Sequence, residues 1–184
     1  MDFKIIAGKK LIEKYYNSSD LNVLHKTPNL IIQGGSRVKK LSNKKSNQIY
    51  FLGHLIGKKN TNDELELLNL EKKSSQLYLL DQPIEKSIKE LEGRFILLKV
   101  KSDDTFEIAC DIFNQIDLYY QVIDNGIILA TNLDLLPFKN TSIKYDQAAL
   151  IHTSYIYGFR PPKKHTLYEG VKRLGVGEII IWKN

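Results

Sequence analysis

Scarcity of cysteine and of long apolar segments is the first feature of this sequence. It contains one cysteine, Cys110, which excludes an internal disulfide framework and a cysteine-cluster metal site. No apolar run approaches the roughly 20 residues that a membrane-spanning helix requires. Residues Met1 to Lys4 lack the basic and then apolar order of a signal peptide. We therefore expect a cytoplasmic protein with no membrane partner.

Patterns for metal or cofactor binding are also missing. The histidines show no paired ligand spacing; they are His25, His54, His152 and His165. Gly34-Gly35-Ser36 lacks the Lys-Ser/Thr ending of a phosphate-binding loop, so it is predicted to be a turn. Asp103-Asp104 is predicted to be a turn rather than a carboxylate pair for acid–base catalysis. The sequence therefore indicates no metal and no cofactor.

Positive charge is abundant but spread along the chain. There are 27 lysines and arginines against 21 aspartates and glutamates, which gives a formal net charge of +6 and a pI near 9.2. Phosphate binding requires clustered cations, and single-stranded nucleic acids are usually bound with stacking aromatic side chains as well. No such motif accompanies the lysines. We expect a solvated lysine-rich surface rather than a nucleic-acid partner.

Length and composition predict one globular domain over residues 1–184. The sequence is 42% hydrophobic and 26% charged, which is typical of folded proteins and excludes general disorder. A chain of 184 residues buries enough apolar surface to form one core.

Most of the predicted elements are strands. The isolated ones are Phe3–Ala7, Leu30–Gln33, Gln48–Leu52 and Glu178–Trp182. The polar segment between the first two is predicted to be irregular, and Gly53 and Gly57 indicate a bend or a close backbone approach. Alternating apolar residues and the hairpin signal Asp124-Asn125-Gly126 predict a four-strand meander over residues 94–131.

Three segments follow the helical period. They are predicted to run from Asn62 towards Leu70, from Pro83 to a stop at Gly93, and from an N-cap at Asp146 towards Tyr157. Gly158 and Pro161-Pro162 would end the third helix. Together with the strands, these helices predict an α+β fold with antiparallel sheet.

The segment around Cys110 resembles a known motif. Residues 110–120 are Cys-Asp-Ile-Phe-Asn-Gln-Ile-Asp-Leu-Tyr-Tyr, and a strand, a polar connection and a second strand are predicted there. They resemble Arg-Asp-x-Phe-Gly-x-x-Pro-Leu-Tyr-Tyr in the class II glutamine amidotransferase domain of asparagine synthetases. Asp111, Phe113 and the Leu-Tyr-Tyr end match and are predicted to be retained for packing. Cys110 and Asn114 depart from the motif, which we interpret as loss.

Further blocks at matching intervals extend the resemblance over residues 91–181. Leu91-Glu-Gly-Arg-Phe95 is similar to the family's Leu-x-Gly-Met-Phe, and residues 129–136 resemble Phe-Ala-Ser-Glu-x-Lys-x-Leu. Residues 146–177 are similar to Asp-x-x-Ala-Leu, Gly-Tyr-x-Pro, Thr-Leu-Phe-x-Gly-Ile-x-x-Leu and Pro-Gly-His in that order. The resemblance implies the four-layer αββα sandwich of antiparallel sheets found in N-terminal-nucleophile (Ntn) hydrolases.

The catalytic groups of that family are missing from this sequence. In active members an N-terminal cysteine attacks glutamine, its own α-amine moves the proton, and a nearby Asn-Gly forms the oxyanion hole. Here Met1 or, after its removal, Asp2 would occupy the N-terminal position, and neither can form a thioester. Cys110 is predicted to be a small buried hydrophobic residue at the end of a strand. The resemblance therefore implies no catalytic residue.

Three residues are candidates for a vestigial pocket: Arg37, Gly53 and Asp111. Arg37 matches, in one alignment, the arginine that grips the substrate carboxylate, while the alternative is a plain surface arginine. Gly53 matches the glycine of the oxyanion-hole Asn-Gly, with Leu52 in place of the asparagine. The Gly-Ser-Asp segment that holds the amine of glutamine has no counterpart.

The resemblance implies a catalytically inactive amidotransferase-like domain. It would serve as a structural or interaction module for an ATP-dependent amide-forming synthetase domain or subunit, as in β-lactam synthetases and lasso-peptide cyclases. Both a free-standing protein and part of a larger ligase fit the sequence, and homo-oligomerisation stays open. The alternative is an amidohydrolase that uses the ancestral cleft with a relocated nucleophile, suggested by the retained Gly53 and Asp111.

Overall fold

A computed structural model describes residues 2–17, 21–41, 47–59, 64–68, 78–79, 82–140, 143–156 and 164–183. Two antiparallel six-stranded sheets and a few short helices give the chain the predicted α+β class. The residues cluster into two compact units, each built around one sheet: Met1–Gly35 with Asp117–Gly175, and Ser36–Ile116 with Val176–Asn184.

The elements are numbered in chain order. The strands are β1 Phe3–Ala7, β2 Asn22–Lys26, β3 Leu30–Gly34, β4 Val38–Lys40, β5 Asn47–Lys59, β6 Leu65–Leu67, β7 Leu91–Lys101, β8 Phe106–Cys110, β9 Tyr119–Ile123, β10 Gly126–Ala130, β11 Val171–Arg173 and β12 Ile179–Trp182. The α-helices are α1 Lys9–Tyr15, α2 Ile84–Glu90 and α3 Gln147–Ile151. Short 3-10 helices span Leu133–Leu135 and Pro137–Asn140, and a π-helical turn spans His152–Ile156.

The first unit has its sheet in the order β11-β9-β10-β1-β3-β2. β1 lies inside this sheet between β10 and β3, and all five of its residues are buried, as expected from their largely apolar sequence. The apolar core on this sheet is formed by Ile6, Leu11, Ile128, Ala130, Leu136, Phe138 and Val171.

The second unit has its sheet in the order β12-β8-β7-β5-β4, and β6 pairs with the far end of β5. Helix α2 packs against this sheet, and the Phe51 and Phe95 rings stack with their centroids 5.5 Å apart. The buried core comprises Leu41, Ile49, Phe51, Leu79, Ile84, Ile88, Leu91, Phe95, Leu97 and Ala109.

The segment between β1 and β3 is not irregular as predicted, since it contains α1 and β2. Helix α1 has about two turns, with Leu11 buried and Ile12 and Tyr15 partly buried against the core, so its apolar pattern is short. β2 lies at the edge of its sheet and is at most half-buried, and therefore lacks the alternation that identifies a strand.

The predicted helix from Asn62 is wrong over its described part. Leu65 and Leu67 belong to β6, where they flank Glu66 with the two-residue period of a strand. The two ends of the predicted helix, at Asn62 and Leu70, lie outside the described residues. The helix after Pro83 is confirmed as α2, but it ends at Glu90 and not at Gly93, which lies within β7.

The four-strand meander over residues 94–131 is also wrong. Both predicted hairpins exist, β7–β8 and β9–β10, but they belong to different sheets. β9 pairs with β10 and β11 and not with β8. Strand periodicity indicates which residues are extended but not which strands pair. The connection over residues 111–118 leads from β8 in one sheet to β9 in the other.

Asp146 caps α3, as the sequence predicts. Its carboxylate accepts a hydrogen bond from the backbone N–H of Ala149 at 3.0 Å and lies 2.9 Å from Nδ1 of His165. The hydrogen bond with His165, followed by that from Ala149, holds the pKa of Asp146 below its ordinary value. Gly158 and Pro161-Pro162, which were predicted to end the helix, lie outside the described residues.

Replacing Asp146 should reveal both the cap and the pairing with His165. We expect Asp146→Ala to lower the free energy of unfolding by about 1 kcal/mol near neutral pH. Because the pKa of Asp146 is lowered in the folded state, its stabilisation is present above the unfolded-state pKa and is lost as the pH falls through the folded-state pKa. The loss of unfolding free energy caused by Asp146→Ala should therefore become smaller at acid pH, which urea unfolding at several pH values will measure. Asp146→Asn keeps a capping oxygen and serves as the control, with a smaller loss.

Candidate functional site

The three candidates for the vestigial pocket lie in one row across the sheet of the second unit. Gly53 of β5 pairs with Phe95 of β7. Arg37 immediately precedes β4, which neighbours β5, and Asp111 immediately follows β8, which neighbours β7. The register of these strands continues the row from Arg37 through Gly53 and Phe95 to Asp111. The structure thus brings together three residues that are far apart in the sequence.

Asp111 uses its carboxylate to hold backbone N–H groups. The side chain is buried, with 1% of its surface exposed. Its oxygens accept hydrogen bonds from the N–H of Phe113 at 3.0 Å, of Gln115 at 3.2 Å and of Phe95 at 3.3 Å. The N–H of Asp111 also donates to the carbonyl of Phe95 at 2.9 Å. A buried carboxylate bonded in this way is a structural anchor and is poorly placed to take a proton from a substrate.

Gly53 is required by the backbone at the same point of the sheet. Its φ is +117°, and a Cβ atom there would lie 2.2 Å from the carbonyl oxygen of Arg94 and 2.9 Å from Cα of Phe95. Only glycine permits this conformation and this close approach of β5 to β7. The close approach predicted from the sequence is confirmed. Gly53 and Asp111 therefore both support β7 at Phe95.

Arg37 and the N-terminus supply less to the site. Arg37 lies in an exposed turn that leads into β4. Met1, which the resemblance places where the family has its cysteine, lies outside the described residues, and Asp2 is exposed. Within the described residues, the row of candidates therefore has one exposed charge, that of Arg37, and one buried carboxylate, that of Asp111.

Cys110 is confirmed as a buried residue, because 3% of its surface is exposed. It pairs with Ile96 within the β7–β8 ladder, beside the anchoring carboxylate of Asp111. A reagent or substrate would have to open the sheet to reach its sulfur. This placement gives the thiol a packing role.

The connection after β8 presents an apolar tip to solvent. Phe113 is 68% exposed and its neighbour Ile112 is also exposed, so the prediction that Phe113 is retained for packing is wrong. Asn114 has φ +50°, the left-handed region that glycine and asparagine favour. Asparagine is therefore suited to the backbone conformation at this position. Leu118 is buried, as predicted.

The exposed tip was missed in the sequence, although a signal for it exists. Asp111 and Asn114 flank Ile112 and Phe113, and both residue types favour turns in which a side chain bonds the local backbone. A turn held in this way leaves its two intervening side chains without a neighbouring strand. The match of Phe113 to the family motif instead led to the prediction of a packing role.

Two other features of the described residues bear on ligand binding. Among the described residues, no group of three histidine, cysteine, aspartate or glutamate side chains is arranged to hold a metal ion. A shallow pocket of about 220 Å³ lies beside Lys99, whose ammonium donates to the carbonyl of Gln82 and to Oγ of Ser87 at 3.4 Å. This pocket is below the roughly 300 Å³ of ordinary ligand sites.

Comparison with family models and with curated proteins found no match. Within the described ranges, no helix has both the length and the apolar composition that crossing a membrane would require.

Proposed function

We propose that this chain is a catalytically inactive amidotransferase-like domain that acts as an interaction module. Its partner would be an ATP-dependent synthetase domain or subunit of an asparagine synthetase-related ligase. The ordered sequence blocks over residues 91–181 support the family assignment, and the two antiparallel sheets are compatible with the αββα sandwich of Ntn hydrolases. Fold alone does not establish activity, so the proposal depends on the site.

The anchoring of Asp111 is the observation that supports the proposal most directly. A carboxylate in a working amidohydrolase must face its substrate, whereas the carboxylate of Asp111 is buried and bonded to three backbone N–H groups. Cys110, the only thiol in the sequence, is buried beside it. The burial of Asp111 and Cys110 favours a structural role for both residues over a role for either in a relocated catalytic site.

The exposed tip at Ile112 and Phe113 supports an interaction role. An exposed aromatic residue on a turn that is already fixed binds at little cost in conformational entropy. Asp111 fixes this turn through the N–H groups of Phe113 and Gln115. The apolar side chains at the tip match the aromatic and aliphatic residues that dominate protein interfaces.

Activity towards glutamine separates the proposal from the amidohydrolase alternative. The pure 184-residue chain is incubated with glutamine and, separately, with a reactive γ-glutamyl analogue. We expect no ammonia above the blank and no covalent mass gain. Release of ammonia, or modification of one defined residue in the folded protein, would contradict the proposal. A class II amidotransferase with its N-terminal cysteine serves as the positive control.

The interaction role is tested with an ATP-dependent synthetase encoded beside this chain. We expect the synthetase to co-purify with the wild-type chain and to lose binding at least about tenfold with Phe113→Ser, as for a residue at the centre of an interface. Tyr155→Ser is the matched control, because Tyr155 is a largely exposed aromatic residue of the first unit. Equal binding by both variants would exclude the tip at Phe113 as the contact.

A further inference from the structure

Outer strands of a sheet expose unpaired backbone groups, and most of the described outer strands carry features that discourage further pairing. β2 has a bulge between Val23 and His25 and ends with a lysine. β4 has three residues, two of them lysines, and β11 has three residues, of which two are basic. Short strands, bulges and edge lysines are the usual protections against pairing with another chain.

β12 is short as well, but it is the described outer strand that has neither a charged residue nor a bulge. Its sequence is Ile179-Ile-Ile-Trp182, with no charge, no proline and no bulge in its pairing with β8. Ile181 is 56% exposed, although isoleucine is among the most often buried residue types. No described strand lies on the outer side of β12. Such an edge is suited to adding a strand from another chain.

We propose that β12 pairs with β12 of a second copy of this chain, antiparallel and about a two-fold axis. Side chains alternate between the two faces of a sheet, so a two-fold axis perpendicular to it must pass opposite a residue. Centring it on Ile181 places Ile181 opposite its own copy and Ile180 opposite Trp182. Each exposed Ile181 is then covered by the other, and the two sheets continue as one.

Charge at the ends of β12 favours this antiparallel arrangement. Glu178 precedes the strand and Lys183 follows it. With the axis at Ile181, antiparallel pairing places Lys183 of one copy opposite Ile179 of the other and keeps Glu178 away from its own copy, so no like charges are opposed. Parallel pairing would place like charges together, which is unfavourable across a strand pair. The charges at the ends of β12 therefore favour antiparallel over parallel pairing.

The oligomeric state of the full chain tests this proposal. We expect sedimentation velocity over a range of concentrations to show a reversible monomer–dimer equilibrium. Ile181→Lys places two ammonium groups at the centre of the interface and should raise the dimer dissociation constant at least about tenfold. Val176→Lys is the matched control, because Val176 is 58% exposed in the same unit and lies outside β12.

Cysteine trapping supplies a second measurement that does not depend on the charged variants. Directly opposite residues of an antiparallel pair have Cβ atoms about 5 Å apart, near the distance that a disulfide needs. Ile181→Cys should therefore form a disulfide-linked dimer under mild oxidation, whereas Val176→Cys should not. The native Cys110 is buried and gives little background.

Three results would overturn the proposal. One is a monomer at every concentration together with no trapped Ile181→Cys dimer. β12 would then pair with a different protein or with no strand at all. Another is a dimer that both lysine variants weaken equally, since that would indicate a general charge effect. The third is a dimer that Ile181→Lys does not weaken and that Ile181→Cys does not trap, since its interface would lie elsewhere.

Discussion

Replacing Gly53 by alanine is expected to lower the free energy of unfolding by about 4 kcal/mol, from backbone strain together with overpacking. The φ of +117° is strained for any residue with a Cβ atom. The added carbon would also lie 2.2 Å from the carbonyl oxygen of Arg94 and 2.9 Å from Cα of Phe95. Both are backbone atoms of the long β5–β7 ladder, so they cannot move aside as a flexible side chain would.

Two other glycines separate the causes of this effect. Gly177 has φ +70° with no atom within 4 Å of the added Cβ, so Gly177→Ala should show backbone strain alone, about 1 kcal/mol. Gly35 would bring its Cβ no closer than 3.7 Å to a backbone oxygen, so Gly35→Ala should change stability very little. Urea unfolding of the three variants measures the order. If Gly53→Ala were no more destabilised than Gly177→Ala, the close approach of β5 and β7 would be refuted.

The second large effect is expected for Asp111→Ala, which should lower the free energy of unfolding by about 3 kcal/mol, because a buried charged acceptor is removed from several N–H groups. The N–H of Phe95 is buried and loses one acceptor, whereas those of Phe113 and Gln115 can turn to water. The loss is therefore smaller than the sum of three separate hydrogen bonds. The apolar tip should also become mobile, which hydrogen exchange at Phe113 and Gln115 will show.

Asp111→Asn and Asp117→Ala are the controls for this prediction. Asparagine keeps one acceptor oxygen, so it should recover part of the lost stability. Asp117 lies on the same connection, but its carboxylate is half-exposed, faces Arg173 at 3.4 Å and accepts a hydrogen bond from the Tyr119 hydroxyl at 3.1 Å, so its loss should cost only about 1 kcal/mol. Equal destabilisation by Asp111→Ala and Asp117→Ala would mean that the buried carboxylate of Asp111 contributes no more than an exposed one on the same connection. The anchoring role of Asp111 would then be wrong.

Elements with a clear apolar period or a specific turn signal could be predicted from the sequence. β1, β3, α2 and β12 appear where apolar spacing placed them, and the β9–β10 hairpin turns at Asp124 and Asn125, within its Asp-Asn-Gly signal. The cap at Asp146 and the burial of Cys110 were likewise accessible, because both depend on local chemistry. Each of these features is decided by a few neighbouring residues.

Features that depend on distant partners could not be predicted. The row that joins Gly53, Phe95 and Asp111 is fixed by strand register, which no local pattern specifies. β6 was assigned to a helix because Leu65 and Leu68 satisfy the helical period, while its pairing with β5 lies in a different part of the sequence. Phe113 shows the limit most clearly, since its match to the family motif predicted a packing role and the Asp111 turn exposes it.

The pairing of β1 with β10 has a consequence for the order in which the chain folds. Phe3 N–H donates to Oγ1 of Thr131 at 3.0 Å, a contact that spans 128 positions of the sequence. During synthesis β1 therefore stays apolar and unpaired on one side until β10 has left the ribosome. The strands β4, β5, β7 and β8 can pair with one another earlier. Over that interval the nascent Phe3–Ala7 segment is expected to be a chaperone-binding sequence, and its burial is expected to be a late step of folding.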